Sequence, residues 1–335
     1  MRALIRFMAF TLFLGGLGTG YVFYRLNQPF QGFSEPVFVE FPRGTSSGQI
    51  ATMLADKGVV QDRLLFLAAR VIRRGSHLQA GEYRFEKAAS AFDVYGRIAR
   101  GDIYYLELLI PEGFNIFDIA AAVKALSVKE KRSTLQAADF LAAARNPALI
   151  RDLDPKAESL EGYLFPNKYR IYPHTTATQL CGQMTSEFRT QWHALHVSAD
   201  MHRTVTLASL VEREAKLPQE RARVASVFHN RLKLGMKLDC DPTTVYAALL
   251  EGRYRGVIHR SDLDSKNPYN TYQHPGLPPG PIANPGLRSL QAALEPAKTP
   301  FLFFVAKPDG SGGHNFSESL RQHEAAVTQY RKNGH

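Results

Sequence analysis

The sequence has few of the features that mark redox, metal-dependent or nucleotide-binding proteins. Cys181 and Cys240 are its only cysteines among 335 residues, and they fit no metal-ligand spacing such as C-x-x-C. In an oxidising compartment they could pair, but the spacing leaves this open. There is no H-E-x-x-H zinc motif and no phosphate-binding glycine loop. We therefore predict neither a metal site nor a cofactor.

Dense basic blocks and internal repeats are also missing. The formal net charge is +10, but the lysines and arginines are scattered along the chain. A scattered positive charge argues against nucleic acid as a partner and is compatible with an acidic polymer or a membrane surface. A merely solubilising surface is the simpler explanation of most of this charge.

One apolar run stands at the N-terminus, and no second run of comparable length follows. The 18 residues from Phe7 to Tyr24 include no charged residue. This length is just enough for a helix to span a bilayer core, which takes about 17 to 25 residues. A cleaved signal peptide is the alternative, but the run exceeds the usual h-region and no A-x-A-like site follows. Arg25 closes the run, and Arg2 and Arg6 precede it, which favours a cytoplasmic N-terminus and an external remainder.

The rest of the chain predicts an α+β protein. Strand-like segments at Val37–Phe41 and Gly81–Phe85 enclose two amphipathic helical runs, the second ended by Gly75, in a β-α-α-β order. Later segments predict a helix at 204–216, a loop at 266–286, a buried strand at 301–305 and a turn at 314–316. We predict these divisions: cytoplasmic N-terminus 1–6, anchor 7–25, linker 26–36, small module with an associated strand 37–110, helical connecting region 111–158, and catalytic domain 159–335.

A glutamate in the 204–216 segment is the main candidate for chemistry. At about 100° per residue, Glu214 points to the same side as Leu207 and Leu210, whereas Glu212 points nearly opposite. A partly dehydrated carboxyl group holds its proton near neutral pH, which acid catalysis of glycosidic cleavage requires. By spacing alone, a peripheral and partly solvated glutamate is the commoner explanation.

We expect the helix that carries Glu214 to line a cleft. Polar and aromatic clusters downstream could line a carbohydrate site in that cleft, because tyrosine rings stack on sugars and amides hold hydroxyl groups. The simpler alternatives are a helix cap for Asp241, loop tethers for the tyrosines and a surface position for His314. Glu161 is a weaker candidate from the edge of the domain. The supporting residues predicted are Glu161, Asp241, Thr243, Tyr269, Asn270, Thr271, Tyr272, His314 and Asn315.

Six ordered motifs together resemble the YceG-like (MltG) family of endolytic murein transglycosylases. The likeness also extends to 81–85, 111–113, 160–166 and the N-terminal run, so it covers nearly the whole chain. Cys240, where a hydroxyl or other small residue is more usual, and His229 depart from the pattern. The six motifs lie at residues 207–214, 224–232, 241–243, 269–272, 276–282 and 314–316.

The resemblance implies a LysM-like module before the catalytic domain and maps the catalytic glutamate, the second of the E-x-E pair, onto Glu214. It implies cleavage between N-acetylmuramic acid and N-acetylglucosamine, ending in a 1,6-anhydro product. Membrane tethering in turn implies that the strands cleaved are nascent ones close to the inner membrane. Peptidoglycan strands and the inner membrane are then the partners, and an anchored enzyme could also contact peptidoglycan synthases. Two alternatives remain: a lysozyme-like muramidase using Asp241, and a tethered peptidoglycan-binding scaffold.

Overall fold

A computed structural model describes residues 2–74, 77–130 and 132–333 of the chain. Helices and short antiparallel strands alternate, which confirms the α+β class. Gly75, expected to end a helix, lies outside the described residues. The chain divides into two compact units, Met1–Tyr105 and Leu106–His335.

The first unit joins a long apolar helix to a small α+β module. Helix α1 is long and apolar enough to cross a membrane over Leu4–Asn27, with a mean hydropathy of 1.4. The β-α-α-β order expected for the module is present, and a further helix follows it. The elements of this unit are α1 (Arg2–Asn27), β1 (Val37–Phe41), α2 (Ser47–Asp56), α3 (Arg63–Ile72), β2 (Gly81–Phe85) and α4 (Ala91–Arg100).

Local sequence explains where the helices of the module begin and end. Ser46 and Gln49 form a capping box at the start of α2, and the Asp62 side chain caps α3. Gly101 ends α4 in the left-handed region at φ 73°, which glycine adopts without strain. Strands β1 and β2 pair antiparallel with Val39 opposite Tyr83, so alternate side chains enter one core.

The second unit is mainly helical, with two separate two-stranded sheets. Short 3₁₀ turns lie at Pro147–Leu149 and Pro218–Glu220. The elements in chain order are β3 (Leu106–Ile110), α5 (Ile116–Lys129), α6 (Ala137–Ala144), β4 (Asn167–Ile171), α7 (Ala177–Ala194), α8 (Met201–Glu214), α9 (Arg221–Lys233), α10 (Asp241–Leu250), α11 (Arg260–Leu263), α12 (Leu287–Leu294), β5 (Phe303–Ala306), β6 (His314–Ser317) and α13 (Leu320–Asn333).

Strand β3 belongs to the second unit. It pairs antiparallel with β4, Leu108 opposite Tyr169, although the sequence suggested that it accompanies the small module. Buried and exposed side chains alternate along β3, and the buried ones, those of Leu106, Leu108 and Ile110, pack in the second unit. The domain limits proposed from the sequence otherwise remain predictions.

Two expectations near the C-terminus were wrong. Residues 314–316, expected to be a turn, lie in strand β6 (His314–Ser317), which pairs with β5. Strand β5 was expected to be buried, yet its side chains are half-buried. Both follow from the size of this sheet, because two strands in contact with only α13 and α9 keep partly accessible side chains.

Helix α8 is the central helix of the second unit. It contacts α9, α10 and α12, and every side chain from Thr204 to Val211 is buried. A helix buried on all sides has a rigid position, so the side chains at its C-terminal end are held in place. That end carries Glu212 and Glu214.

Candidate active site

Glu214 is the last residue of α8 and is half-buried. Removal from water raises the pKa of its carboxyl group to about 7, and the neighbouring negative charge of Asp241 acts in the same direction. Two groups act in the opposite direction, the Cys240 thiol by a hydrogen bond and Arg213 by its charge. A carboxyl group with this pKa is partly protonated at neutral pH and can serve as acid or base.

The Cys240 thiol is the closest hydrogen-bonding partner of Glu214. Its Sγ donates to Glu214 Oε1 at 3.2 Å from a fully buried position just before α10. The backbone holds this thiol in place, because the Cys240 amide donates to Thr271 Oγ1 at 3.0 Å and the Cys240 carbonyl accepts from Thr243 Oγ1 at 2.6 Å. Thr243 and Thr271 also bond to each other at 2.9 Å.

Asp241 is the first residue of α10 and stands beside Glu214. It accepts a hydrogen bond from the Tyr272 hydroxyl at 2.7 Å, and the Lys237 ammonium group binds the Tyr272 carbonyl at 2.8 Å. The expectation that Asp241 caps α10 was wrong in detail, because the cap position is Cys240. The structure thus brings together Glu214, Asp241 and Tyr272. It adds the thiol of Cys240, to which the sequence had assigned no functional role.

The sequence-based view of the first glutamate of the E-x-E pair was incomplete. Glu212 does point away from Glu214, but its side chain is only 4% exposed because Arg221 binds it at 2.8 Å. The Gly286 amide donates to its other oxygen at 3.0 Å. Arg221 also binds Glu112 at 3.0 Å. Glu212 is thus a buried structural carboxylate that joins α8, α9 and the start of α12, and helical spacing alone could not identify its distant partners.

The loop residues Tyr269 and Asn270 have different surroundings. Asn270 is fully buried, and its amide donates to the carbonyls of Leu263 and Ser265 at 3.0 and 2.8 Å. This side chain is committed to folding the loop. Tyr269 is half-buried, and its ring lies 5.1 Å from that of Tyr246. Of the two, only the tyrosine keeps an accessible part.

Glu161 is buried behind this loop. Its two oxygens accept hydrogen bonds from the Ile116 amide at 2.9 Å and from the Asn284 side chain at 3.0 Å, and Tyr246 is a third partner. Burial raises the pKa of Glu161 to about 8, and the hydrogen bonds from the Ile116 amide and from Tyr246 oppose the rise. With 2% of its surface exposed, Glu161 anchors the start of α5 and has little access to a bound sugar.

His314 and Asn315 lie on β6, near the segment that follows Glu214. The His314 ring binds the buried Glu220 carboxylate through Nδ1 at 2.8 Å, and its backbone amide also donates to Glu220. Asn315 pairs with Val305 in the sheet. Within residues 132–333, no hydrogen bond joins either residue to Glu214, so their predicted contact with substrate stays a prediction.

Two further observations concern the cysteines and metal ligands. Cys181 and Cys240 are both free and buried. Across the described ranges 2–74, 77–130 and 132–333, no group of three or more histidine, cysteine, aspartate or glutamate side chains could hold a metal ion.

Comparison with known proteins relates this arrangement to one family. The model of the YceG-like family matches residues 39–329, which is most of the chain and includes α8 and the loops around Glu214. The chain belongs to the YceG-like family. This membership confirms the resemblance that the six sequence motifs indicated.

Relatives of this YceG-like protein include curated enzymes from two bacteria. A Bacillus subtilis endolytic murein transglycosylase is 32% identical over 314 residues, covering 88% of this chain and 84% of that one. A Streptococcus pneumoniae endolytic murein transglycosylase is 29% identical over 322 residues, and the match spans 88% of this chain but only 58% of the longer relative. A YceG-like crystal structure from Listeria monocytogenes has a TM-score of 0.54 and 31% identity, covering 88% of this chain and 99% of that one.

Proposed function

We propose that this YceG-like protein is an endolytic murein transglycosylase and that Glu214 is its catalytic acid and base. The activity is supported by the relatives of that name, two of which align with 88% of this chain. The assignment of Glu214 rests on one observation: a half-buried carboxyl group at the end of a rigid helix, with its pKa raised to about 7 beside Asp241 and Cys240.

In the proposed reaction the protonated Glu214 donates to the glycosidic oxygen between N-acetylmuramic acid and N-acetylglucosamine. The bond from that oxygen to the muramyl anomeric carbon breaks, and the muramyl C6 hydroxyl forms a new bond to the same carbon. The hydroxyl proton passes to the Glu214 carboxylate, which restores the acid. The products are a 1,6-anhydro end and a free 4-hydroxyl, and no water is consumed.

The neighbouring residues have separate proposed roles. Cys240 fixes one oxygen of Glu214, so that the other oxygen is free for the sugar. Asp241 and Tyr272 form a hydrogen-bonded pair beside it, suited to orienting sugar hydroxyls, and Tyr269 offers part of an aromatic ring. Thr243, Thr271, Asn270 and Glu161 act indirectly, by holding the backbone that carries these groups.

Replacement of Glu214 by glutamine tests the assignment. Because glutamine keeps the shape but has no proton to donate, Glu214→Gln should fold normally and release no anhydro-muropeptides from purified, uncrosslinked glycan strands. Glu318→Gln, a change of an exposed glutamate in the same unit, is the matched control and should retain activity. Undiminished release by Glu214→Gln would reject Glu214 as the catalytic residue.

The same product analysis separates transglycosylation from hydrolysis. Asp241 stands close enough to raise the pKa of Glu214, so it is the available second carboxylate for a lysozyme-like reaction. Mass spectrometry distinguishes the two outcomes, because hydrolysis yields reducing muramic ends and transglycosylation yields anhydro ends. Binding of glycan without either product would instead indicate a scaffold.

We also propose a location for the enzyme. Helix α1 anchors it in the inner membrane with residues 1–6 in the cytoplasm and the chain after Arg25 in the periplasm, as the flanking arginines favour. The β-α-α-β module is proposed to be LysM-like and to contact glycan. Anchoring confines the cleavage to newly made strands near the membrane, where peptidoglycan synthases are possible partners.

A further inference from the structure

Helix α3 carries an apolar surface that no other part of the described chain covers. Phe66 and Ala69 face the core of the first unit. On the opposite side, Leu64 and Val71 are 63% and 77% exposed. They lie seven residues apart, which is two helical turns, so they form one stripe along the helix. Ile72 extends this stripe at 47% exposure.

Positive charge borders the stripe of Leu64, Val71 and Ile72. Arg63 and Arg70 lie on one flank of α3, and Arg73 and Arg74 follow its last residue. Asp62 is the one acidic residue from 61 to 74, and its side chain is occupied in capping α3 through the Leu64 amide at 2.6 Å. Exposed apolar side chains beside arginines are typical of helices that lie in the surface of an anionic membrane.

Both ends of α3 are tied to the end of α1. At the start of α3, Gln61 accepts a hydrogen bond from Arg25 at 2.7 Å. At its end, the Arg73 guanidinium lies 5.0 Å over the Phe92 ring, which in turn lies 5.6 Å from the ring of Phe23.

These contacts fix the height of α3 along α1. Phe23 is one of the last apolar residues before Arg25. Leu26, the first residue after Arg25, is already buried in the core of the module. Helix α3 therefore lies at the level where α1 changes from an exposed apolar helix to a packed one.

We propose that α3 lies on the bilayer that α1 crosses, with Leu64 and Val71 inserted among the lipid chains. The arginines that border the stripe then meet anionic lipid headgroups. A protein exposing this stripe to water would gain nothing from it, whereas the bilayer is already next to α3 through α1. The inference rests on the proposed anchoring by α1 and is independent of the assignment of Glu214.

Tryptophan fluorescence in the full-length protein tests this contact. Val71→Trp and, as a second reporter, Leu64→Trp replace exposed residues, so the fold should tolerate them. Val128→Trp, at a position 73% exposed in the second unit, is the matched control. Each protein is reconstituted in vesicles of phosphatidylethanolamine and phosphatidylglycerol containing a lipid brominated in its acyl chains, and Trp192 gives the same background in all.

The brominated lipid should quench most of the fluorescence of the tryptophan introduced at position 71 or 64. It should leave the fluorescence of the tryptophan at position 128 unchanged. Adding Leu64→Asp to Val71→Trp should restore much of the lost emission. If the vesicles float with the protein but neither α3 reporter is quenched, α3 does not touch the bilayer and the proposal is overturned. A spectral shift on adding soluble glycan strands, without quenching by lipid, would overturn it in favour of glycan binding.

Failure of flotation would overturn both this contact and the anchoring by α1. It would leave the cleavage assay with Glu214→Gln unaffected, so the two proposals fail separately.

Discussion

The Cys240 thiol is the residue-level feature that most directly affects Glu214. A thiol is a weaker hydrogen-bond donor than a hydroxyl group, so it stabilises the ionised carboxylate less. Desolvation then prevails, and the pKa of Glu214 stays near 7. The backbone of Cys240 is held in place by Thr243 and Thr271, which bind its carbonyl and amide groups and not its sulfur. A change of the side chain at 240 should therefore alter Glu214 without moving the loop.

Serine and alanine at position 240 should shift the pH dependence of cleavage in opposite directions. Because the acid form of Glu214 donates the proton, activity falls as pH rises through its pKa. The stronger donor in Cys240→Ser lowers that pKa, so kcat/KM should decline at a lower pH. Cys240→Ala removes the donor and should move the decline to a higher pH. The measurement is a pH profile of anhydro-product formation.

Cys181→Ala is the control for the pH profiles, because Cys181 is equally buried but belongs to α7. It should leave the alkaline decline where the wild-type protein has it. Identical declines for Cys240→Ser and Cys240→Ala would show that the thiol does not influence Glu214.

Helical spacing predicted the direction of Glu214 correctly but not the burial of Glu212. A period of 3.6 residues fixes where a side chain points on its own helix. It contains no information on what the rest of the chain places there, and Arg221 and Gly286 come from other elements. For the same reason Asn270 looked like a sugar ligand, although its amide is used by backbone carbonyls of its own loop.

At the scale of elements, two buried carboxyl groups join helices of the second unit. Glu161 receives the first amide of α5, and Glu212 joins α8 to α9 through Arg221. Their physical states differ. Burial raises the pKa of Glu161 to about 8, so it is mostly neutral at pH 7, whereas Glu212 has a cation beside it.

Stability should fall between pH 4.5 and 8 because of Glu161. In this range the folded protein retains a proton that the unfolded chain releases, so the free energy of unfolding decreases by at most about 1.4 kcal/mol per pH unit. Glu161→Gln should be less stable than the wild-type protein at low pH, because its amide nitrogen cannot accept a hydrogen bond from Ile116 or Asn284. As the pH rises, however, its stability should fall less steeply than that of the wild-type protein. Denaturant unfolding followed by Trp192 fluorescence measures both slopes.

Glu318→Gln serves again as the control, with the wild-type slope expected. Some slope should remain in Glu161→Gln, because burial also raises the pKa of Glu212 and Glu214. Equal slopes for Glu161→Gln and the wild-type protein would contradict a neutral Glu161.

Removal of the Arg221 side chain should destabilise the second unit strongly. Arg221→Ala leaves the Glu212 carboxylate, 4% exposed, without its cation, a loss of about 3–5 kcal/mol for a buried pair. Arg223→Ala, an exposed arginine on the same helix, should cost far less. Adding Glu212→Gln to Arg221→Ala should recover part of the loss. Similar denaturation midpoints for Arg221→Ala and Arg223→Ala would contradict this role.

Most elements were predictable from local sequence, and the exceptions have a common cause. Strands β1 and β2 and the long helices have strong periodicity and clear caps, so their limits agree with expectation to within a few residues. Strand β6 was taken for a turn because His314 and Asn315 have weak strand preference, and only pairing with β5 makes them extended. Similarly, the sheet partner of β3 lies far along the chain.

At the scale of the whole molecule, the proposed anchoring by α1 would hold the cleavage reaction at a membrane surface. A membrane confines an enzyme to a thin layer, which raises its effective concentration near newly made strands and lowers it elsewhere. The side chains of residues 4–24 in α1 are exposed, although the Phe23 ring also contacts Phe92. Leu26, in contrast, is fully buried and belongs to the core of the module.

Deletion of residues 2–24 should therefore separate chemistry from location. The shortened protein keeps Arg25 and Leu26, so the module should fold, and it should cleave purified glycan strands at the wild-type rate. Exported with a cleavable leader, it should fail to restore the glycan length distribution of cells that lack the enzyme, measured by chromatography of released strands. Replacing residues 2–24 by an unrelated spanning helix of the same orientation should restore that distribution. If the untethered protein restores it equally well, anchoring has no part in choosing where strands are cut.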